Sequence, residues 1–278
     1  MRRIAPGVYL ESKYPGVQLG AVVSDDGLFL IDCPARAEDG RDWLATLADY
    51  GKPRYLALLD SHPDRVLGAR NFDFPRVAHD WTLETMSNWS DSFKGSARPI
   101  GAEVDSLKRI TGVKRAVPEL TFSEQMEIHL GERKIDLWHR PGPTPGSIWV
   151  VFSGAKVVFV GDAVTVAEPP FLGDADIETW LDTLDGLRTA SMRPYKLISS
   201  RDGQIKYENI NKLARFLRKI PWRLERLGEK GAPPEDAGAL APELMKDYKV
   251  PKARQEQVIL RLQVGLMRLY SRLYLTEA

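Results

Sequence analysis

Short β-rich runs cut by turn residues fill the first two thirds of this chain, and this pattern limits the fold most. Val8 to Leu10, Leu19 to Val23 and Leu28 to Ile31 make an antiparallel opening, with Pro15-Gly16 between the first pair and Asp25-Asp26-Gly27 as a hairpin turn between the second. Trp43, Leu44, Leu47 and Ala48 then repeat at helical spacing, with Gly51 as the stop. A buried strand, Tyr55 to Leu59, follows, and Val77 to His79 is another. From Met126 the β character returns. Met126 to Leu130 and Lys134 to Trp138 turn at Gly131-Glu132, and Ile148 to Phe152 and Val157 to Val160 turn around Ser153-Gly154. Ile177 to Leu187 reads as helix and Lys196 to Ile198 as a final strand. Strands alternating with helices point to an α/β architecture.

After about Tyr207 the pattern turns helical. Ile210, Leu213, Phe216, Leu217 and Ile220 share a face up to Pro221, and Gly228 to Pro242 reads as a Gly/Ala/Pro-rich linker. Val258, Leu262, Leu266, Leu269 and Leu273 then advance by four, four, three and four, marking one amphipathic helix. That face needs a partner: the chain's own body, or a second copy in a homodimer. The segment from Trp81 to about Val117, with the polar stretch Ser90 to Ala97, reads as an insertion over one sheet end, a lid or substrate-contact element.

The chemistry concentrates just past the Tyr55 to Leu59 strand, in Asp60-Ser61-His62-Pro63-Asp64-Arg65. Imidazole and carboxylates at alternate positions suit a divalent-metal site, or acids that cap the following turn. Lys and Arg total 39 against 38 Asp and Glu, so no general argument arises for nucleic acid or an anionic membrane as partner. The single cysteine, Cys33, rules out an intramolecular disulfide and a Cys-rich zinc ribbon. No run approaches the roughly 20 apolar residues of a membrane span, and the N-terminal segment lacks a signal-type apolar stretch. The expectation is a soluble, cytoplasmic protein.

Taken in order, APGVY, DDGLFLID, DSHPDRVLGA, RPGPTPGSI, VVFVGDAV and ISSRDG resemble the landmarks of the metallo-β-lactamase superfamily over roughly residues 4 to 205. The resemblance implies an αββα four-layer sandwich over 1–207, with a metal site at one edge. The C-terminal helical extension, 208–278, is similar to that of a hydroxyacylglutathione-hydrolase-like branch. The resemblance further implies hydrolase chemistry at two metals held by an H-x-H-x-D-H motif, a loop histidine, a bridging aspartate and a closing histidine.

This sequence departs from that ligand set. Asp60 and Arg65 stand at the first and last motif histidines, and Pro143 at the loop histidine. The bridging acid is kept as Asp162, and the closing histidine falls on Arg201 or Asp202, with Asp202 favoured. Arginine carries a permanent proton and cannot ligate a metal. The cleft cluster is therefore Asp60, His62, Asp64, Arg65, Asp162 and Asp202, with Arg65, and in part Arg201, supplying the positive charge that metals provide in relatives. The favoured expectation is no dinuclear zinc, no cofactor, and a divergent or non-catalytic hydrolase homologue that binds a small molecule or partner. Two alternatives stand beside it. One is a hydrolase of an ester or thioester that uses one Zn, Fe or Mn at Asp60, His62 and Asp162. The other is a dimeric interaction module built on the last helix. His79, His129 and His139 read as ordinary strand histidines, and Cys33 as a buried inert thiol.

Overall fold

The computed structural model describes residues 1–90, 92–93, 101–107 and 113–275. Most of the polar stretch Ser90 to Ala97 lies outside the described residues. The first sheet opens as an antiparallel meander of β1 (Arg2–Ala5), β2 (Val8–Glu11), β3 (Leu19–Ser24) and β4 (Gly27–Ile31). Helix α1 (Ala37–Leu47) crosses to β5 (Pro53–Ala57), parallel to β4, and the one-turn helix α2 (Pro63–Val66) leads on to β6 (Arg76–His79), parallel to β5. Helix α3 (Asp80–Ser87) and a two-residue ladder of β7 (Ser92–Phe93) and β8 (Val113–Lys114) precede β9 (Leu120–Phe122), which lies parallel to β6 at the sheet edge.

The second sheet repeats the plan. Strands β10 (Gln125–Leu130), β11 (Arg133–His139), β12 (Ile148–Phe152) and β13 (Val157–Gly161) run antiparallel. Helix α4 (Ile177–Leu187) carries the chain to β14 (Lys196–Ser199), parallel to β13, and β15 (Gly203–Ile205) turns back beside it. The extension contains α5 (Tyr207–Leu217), α6 (Pro221–Gly228), α7 (Pro234–Gly238), α8 (Ala241–Leu244) and α9 (Lys252–Tyr274).

Three apolar layers hold this together. Between the sheets, Val22, Phe29, Ile31 and Ala57 meet Ile135, Leu137, Val150 and Phe159. Outside the first sheet, Trp43 and Leu47 of α1 cover Leu28, Leu30 and Leu56. Outside the second sheet, Trp180 and Leu184 of α4, Leu213 and Leu217 of α5, and Val258, Leu262, Leu266 and Leu269 of α9 pack with Val151, Val158 and Leu197 in one continuous cluster. The result is an αββα sandwich in which the apolar stripe of α9 packs on its own chain from Val258 to Leu269, while Leu273 at its end is exposed.

The Gly228–Pro242 stretch departs from the linker expectation. Pro234 and Pro242 sit in first turns of short helices, where a missing N–H costs nothing. Ala237, Gly238 and Ala241 are buried, and Met267 of α9 fills the space beside Gly238. Small residues here serve close helix contact, a use that composition alone does not separate from a flexible linker. Among the described residues, no helix is long and apolar enough to cross a membrane.

Candidate functional site at the edge of the two sheets

Parallel strands deliver their C-terminal ends to one edge, where open α/β sheets place ligands. Asp32 follows β4, Asp60 follows β5, Asp162 follows β13 and Arg201 follows β14. Backbone bonds weld the edge: Ile148 N donates to Leu59 O at 2.9 Å, and Ser200 N to Gly161 O at 3.0 Å. The stretch after β5 is not a plain loop. His62 is the N-cap and Pro63 the first residue of α2, so Arg65 rides on a helical turn whose carbonyl accepts from Cys33 N at 3.0 Å. The Cys33 thiol also donates to that carbonyl, and burial pushes its pKa well up; it is an inert structural thiol.

Arg65 fills the centre. It is wholly buried, and Nη1 donates to Asp162 Oδ1 at 3.1 Å while Nη2 lies 3.0 Å from Asp162 Oδ2 as an ion-pair contact. Nη2 also donates to Asp60 Oδ2, and Nε lies 3.7 Å from Asp32 Oδ2 without making a hydrogen bond. Arg201 covers the same acid from the outside. Its Nε donates to Asp162 Oδ2 at 3.2 Å, Nη2 reaches His62 Nε2 at 3.0 Å, and Nη1 lies 3.7 Å from Asp64 Oδ2.

Both His62 ring nitrogens thus face donors, since Asp64 N lies 3.3 Å from Nδ1. A protonated ring could accept from neither, and a neutral one has a single lone pair, already claimed. Burial, then Arg201 and Arg65, hold the His62 pKa well below the usual value.

The acids divide by surroundings. Burial alone raises the Asp162 carboxyl, but Arg201 and Arg65 more than offset it and hold the group well below the usual carboxylate range. Asp32 lacks so close a fork. Burial pushes it up to about 7, although Arg65, the Leu59 amide and the Ser200 hydroxyl pull the other way. Burial is the largest single effect on Arg65 and lowers its pKa, but Asp162, Asp60 and Asp32 together outweigh it and hold the pKa well above the usual value.

Sequence reasoning grouped six residues here, and the structure brings Asp60, His62, Arg65 and Asp162 into direct mutual reach, with Arg201 as the fifth member. Asp64 is buried next to them but spends its carboxylate on two backbone amides, Glu103 N at 3.1 Å and Val104 N at 2.8 Å. Asp202 does not join the ion-pair cluster: it accepts from Val166 N at 2.8 Å and Ala167 N at 3.0 Å, tying down the turn after β13. Arg201 joins the ion-pair cluster, whereas Asp202, the residue favoured from the sequence, lines the adjoining cavity without joining that cluster. Asp32 and Ser200 were missed; the one available signal was the acid of DDGLFLID, which takes a positive φ of 57° at the end of β4. His79 and His139 stack on each other at 3.7 Å, with His139 bonded to Pro145 O, away from the cluster.

A cavity of about 340 Å³ opens beside Arg201, lined also by Pro15, Gly16, Glu103, Glu168 and Arg254. As a metal site the arrangement does not fit. Two guanidinium groups already occupy the hydrogen-bonding positions of Asp162, and one of them those of Asp60. Among the described residues, no three His, Cys, Asp or Glu side chains converge to hold an ion. Chemically, the cluster sets two guanidinium groups among the carboxylates of Asp60, Asp64 and Asp162 and can orient a polar ligand, with no free imidazole lone pair to take a proton from water.

Two halves, each a sheet with a helical layer outside it, and polar residues gathered at one edge define a class of αββα hydrolase-like proteins. The chain belongs to the metallo-beta-lactamase superfamily, whose family model matches residues 17–196. It is similar to the metallo-beta-lactamase from Pontibacter korlensis, at 16% identity and TM-score 0.62, over 78% of this chain and 97% of that one. DIM-1 metallo-beta-lactamase is similar at 12% identity and TM-score 0.61, over 78% and 96%. The stereoselective inverting sec-alkylsulfatase Pisa1 from Pseudomonas sp. matches at 16% identity and TM-score 0.70, over 99% of this chain and 50% of that one, so this chain spans half its length. No curated protein matches. At these identities the structures establish the fold alone.

Proposed function

We propose that this is a divergent, non-catalytic member of the superfamily in which a guanidinium-carboxylate cluster has replaced the dinuclear zinc site, leaving a cleft that binds a small polar ligand. One observation carries the reading: the wholly buried Arg65 fork sits on Asp162 and Asp60, where superfamily members hold a cation. Pro143 at the loop position, which has no side-chain donor, agrees with it. A cavity of about 340 Å³ is of small-molecule size. A single-metal hydrolase at Asp60, His62 and Asp162 would first have to expel Arg65 from both acids and Arg201 from the imidazole, and no contact favours that. The helical extension, likened above to the hydroxyacylglutathione-hydrolase-like branch, is better supported as a feature shared with the alkylsulfatase, whose match takes in 99% of the chain against 78% for the lactamases. With the α9 stripe buried within the chain from Val258 to Leu269, the dimeric module draws no support from that part of the face.

The test is a double-mutant cycle on Arg65→Met and Asp162→Asn, read by chemical denaturation. Each single change strands a buried charge and is expected to cost roughly 3 kcal/mol or more. The double change is expected to cost less than the sum by about 1 kcal/mol or more. Simple additivity would mean that Arg65 does not compensate Asp162, and the proposal would fall.

A further inference from the structure

The 101–107 segment crosses the mouth of the cleft and is gripped from both sides. On the cleft side, Asp64 caps its short 3₁₀ turn (Glu103–Asp105) through the Glu103 and Val104 amides, and Ala102 and Val104 seat on a small apolar cluster with Ala35 and Leu67. On the far side stands α9. Arg254 donates to Glu103 with the same fork that holds Glu168, Nε to Oε1 at 2.6 Å, while its Nη1 donates to Gln257 Oε1 at 3.2 Å. Gln257 Nε2 donates to Ala102 O at 3.0 Å and lies 3.3 Å from Gly101 O. Gly101 has φ +79°, and a Cβ there would come within 2.6 Å of the Arg261 backbone nitrogen. Only glycine lets the segment lie this close to the helix.

We propose that Gly101–Leu107 is a strap over the ligand cleft, and that α9 latches it through Arg254 and Gln257. Asp64, freed from any ion, has become the strap's inner anchor. Apart from that small apolar cluster, against which Trp89 and Leu107 also pack, the strap's contacts among the described residues are polar, while the sheets beneath rest on large apolar layers, so it opens locally before the fold does. Release of Arg254 from Glu103 widens the cavity that Glu103, Arg201 and Arg254 already line and frees the strap to lift from the Asp64 carboxylate. The helical extension thereby controls access to a site that lies in the αββα body. This rests on the binding-cleft reading only for its purpose, because the readout below is backbone exchange and not ligand binding or charge coupling.

Hydrogen exchange followed by mass spectrometry on the full chain tests it. Arg254→Ala, and independently Gly101→Ala, are expected to speed exchange of the peptide containing the Glu103 and Val104 amides by about ten-fold or more while peptides of β4, β5 and β13 stay as slow as before. Arg223→Ala, which breaks a pair with Glu243 elsewhere in the extension, is expected to leave the strap unchanged. Unchanged strap exchange in both latch variants would overturn the proposal. So would a rise spread evenly over both sheets, which would make α9 a support of the whole fold and not a latch. Loss of charge coupling in the Arg65–Asp162 cycle with these exchange results intact would sink the site reading and spare the strap.

Discussion

Asp32 and Asp162 are both buried carboxylates that face Arg65, yet they titrate in opposite directions. The difference is geometric: Asp162 receives two guanidinium forks, whereas Asp32 sees only an Nε at 3.7 Å and two neutral donors. The sign of the pH dependence follows. An acid whose folded pKa is raised binds more protons folded than unfolded, so its contribution is full below the unfolded value and fades as pH rises through the folded one. For Asp32 the window runs from 3.8 to about 7. Asparagine tolerates the positive φ and keeps the acceptor for Leu59 N. Measured as a stability difference in urea, wild type over Asp32→Asn is expected to lose ground steadily across that window. A flat difference would show that Asp32 stays ionised when folded. The Asp162 contribution has the opposite sign: it is present above the ordinary carboxylate value and fades only in stronger acid.

At the level of elements, the strands were legible because alternating and continuous apolar runs with turn residues between them admit few other readings. β2, β3, β4, β10, β11 and β12 lie within a residue or so of their expected ends, and α4 matches at both ends. The strands that sequence reading left out, β1, β7, β8, β9 and β15, are four residues or fewer and take their place from neighbours, not from their own pattern. The Asp60–Arg65 stretch was read as a loop because α2 is a single turn, too short for periodicity to register. What fixes that turn lies far along the chain. A Cβ on Gly68 would overlap the carbonyl oxygen of Pro34, a backbone atom that cannot step aside. Gly68→Ala is therefore expected to push the turn that carries Arg65 away from the end of β4 and cost about 2 kcal/mol or more, read by urea denaturation. Wild-type stability in this variant would mean that the turn can shift freely, and that Arg65 is less firmly placed than its contacts indicate.

For the whole molecule, the order of landmarks was enough to reach the sandwich and the edge that holds the polar cluster. The residues of the cluster that the proposal rests on, Asp60, Arg65 and Asp162, were likewise grouped from the sequence. Two things were not. Which of Arg201 and Asp202 joins the ion-pair cluster depends on how the turn after β14 meets the Val166 and Ala167 amides, a contact between distant segments. Nor does any motif connect Glu103, Glu168, Arg254 and Gln257, which only the docking of α9 brings together. What unites these scales is that positive charge in the cleft comes from the chain itself. Metal content of protein purified without chelator, measured by elemental mass spectrometry, tests this most directly. The expected result is below about 0.1 equivalent of zinc, iron or manganese per chain, because binding would have to displace buried ion pairs. One or two equivalents per chain, lost on Asp162→Ala, would contradict it.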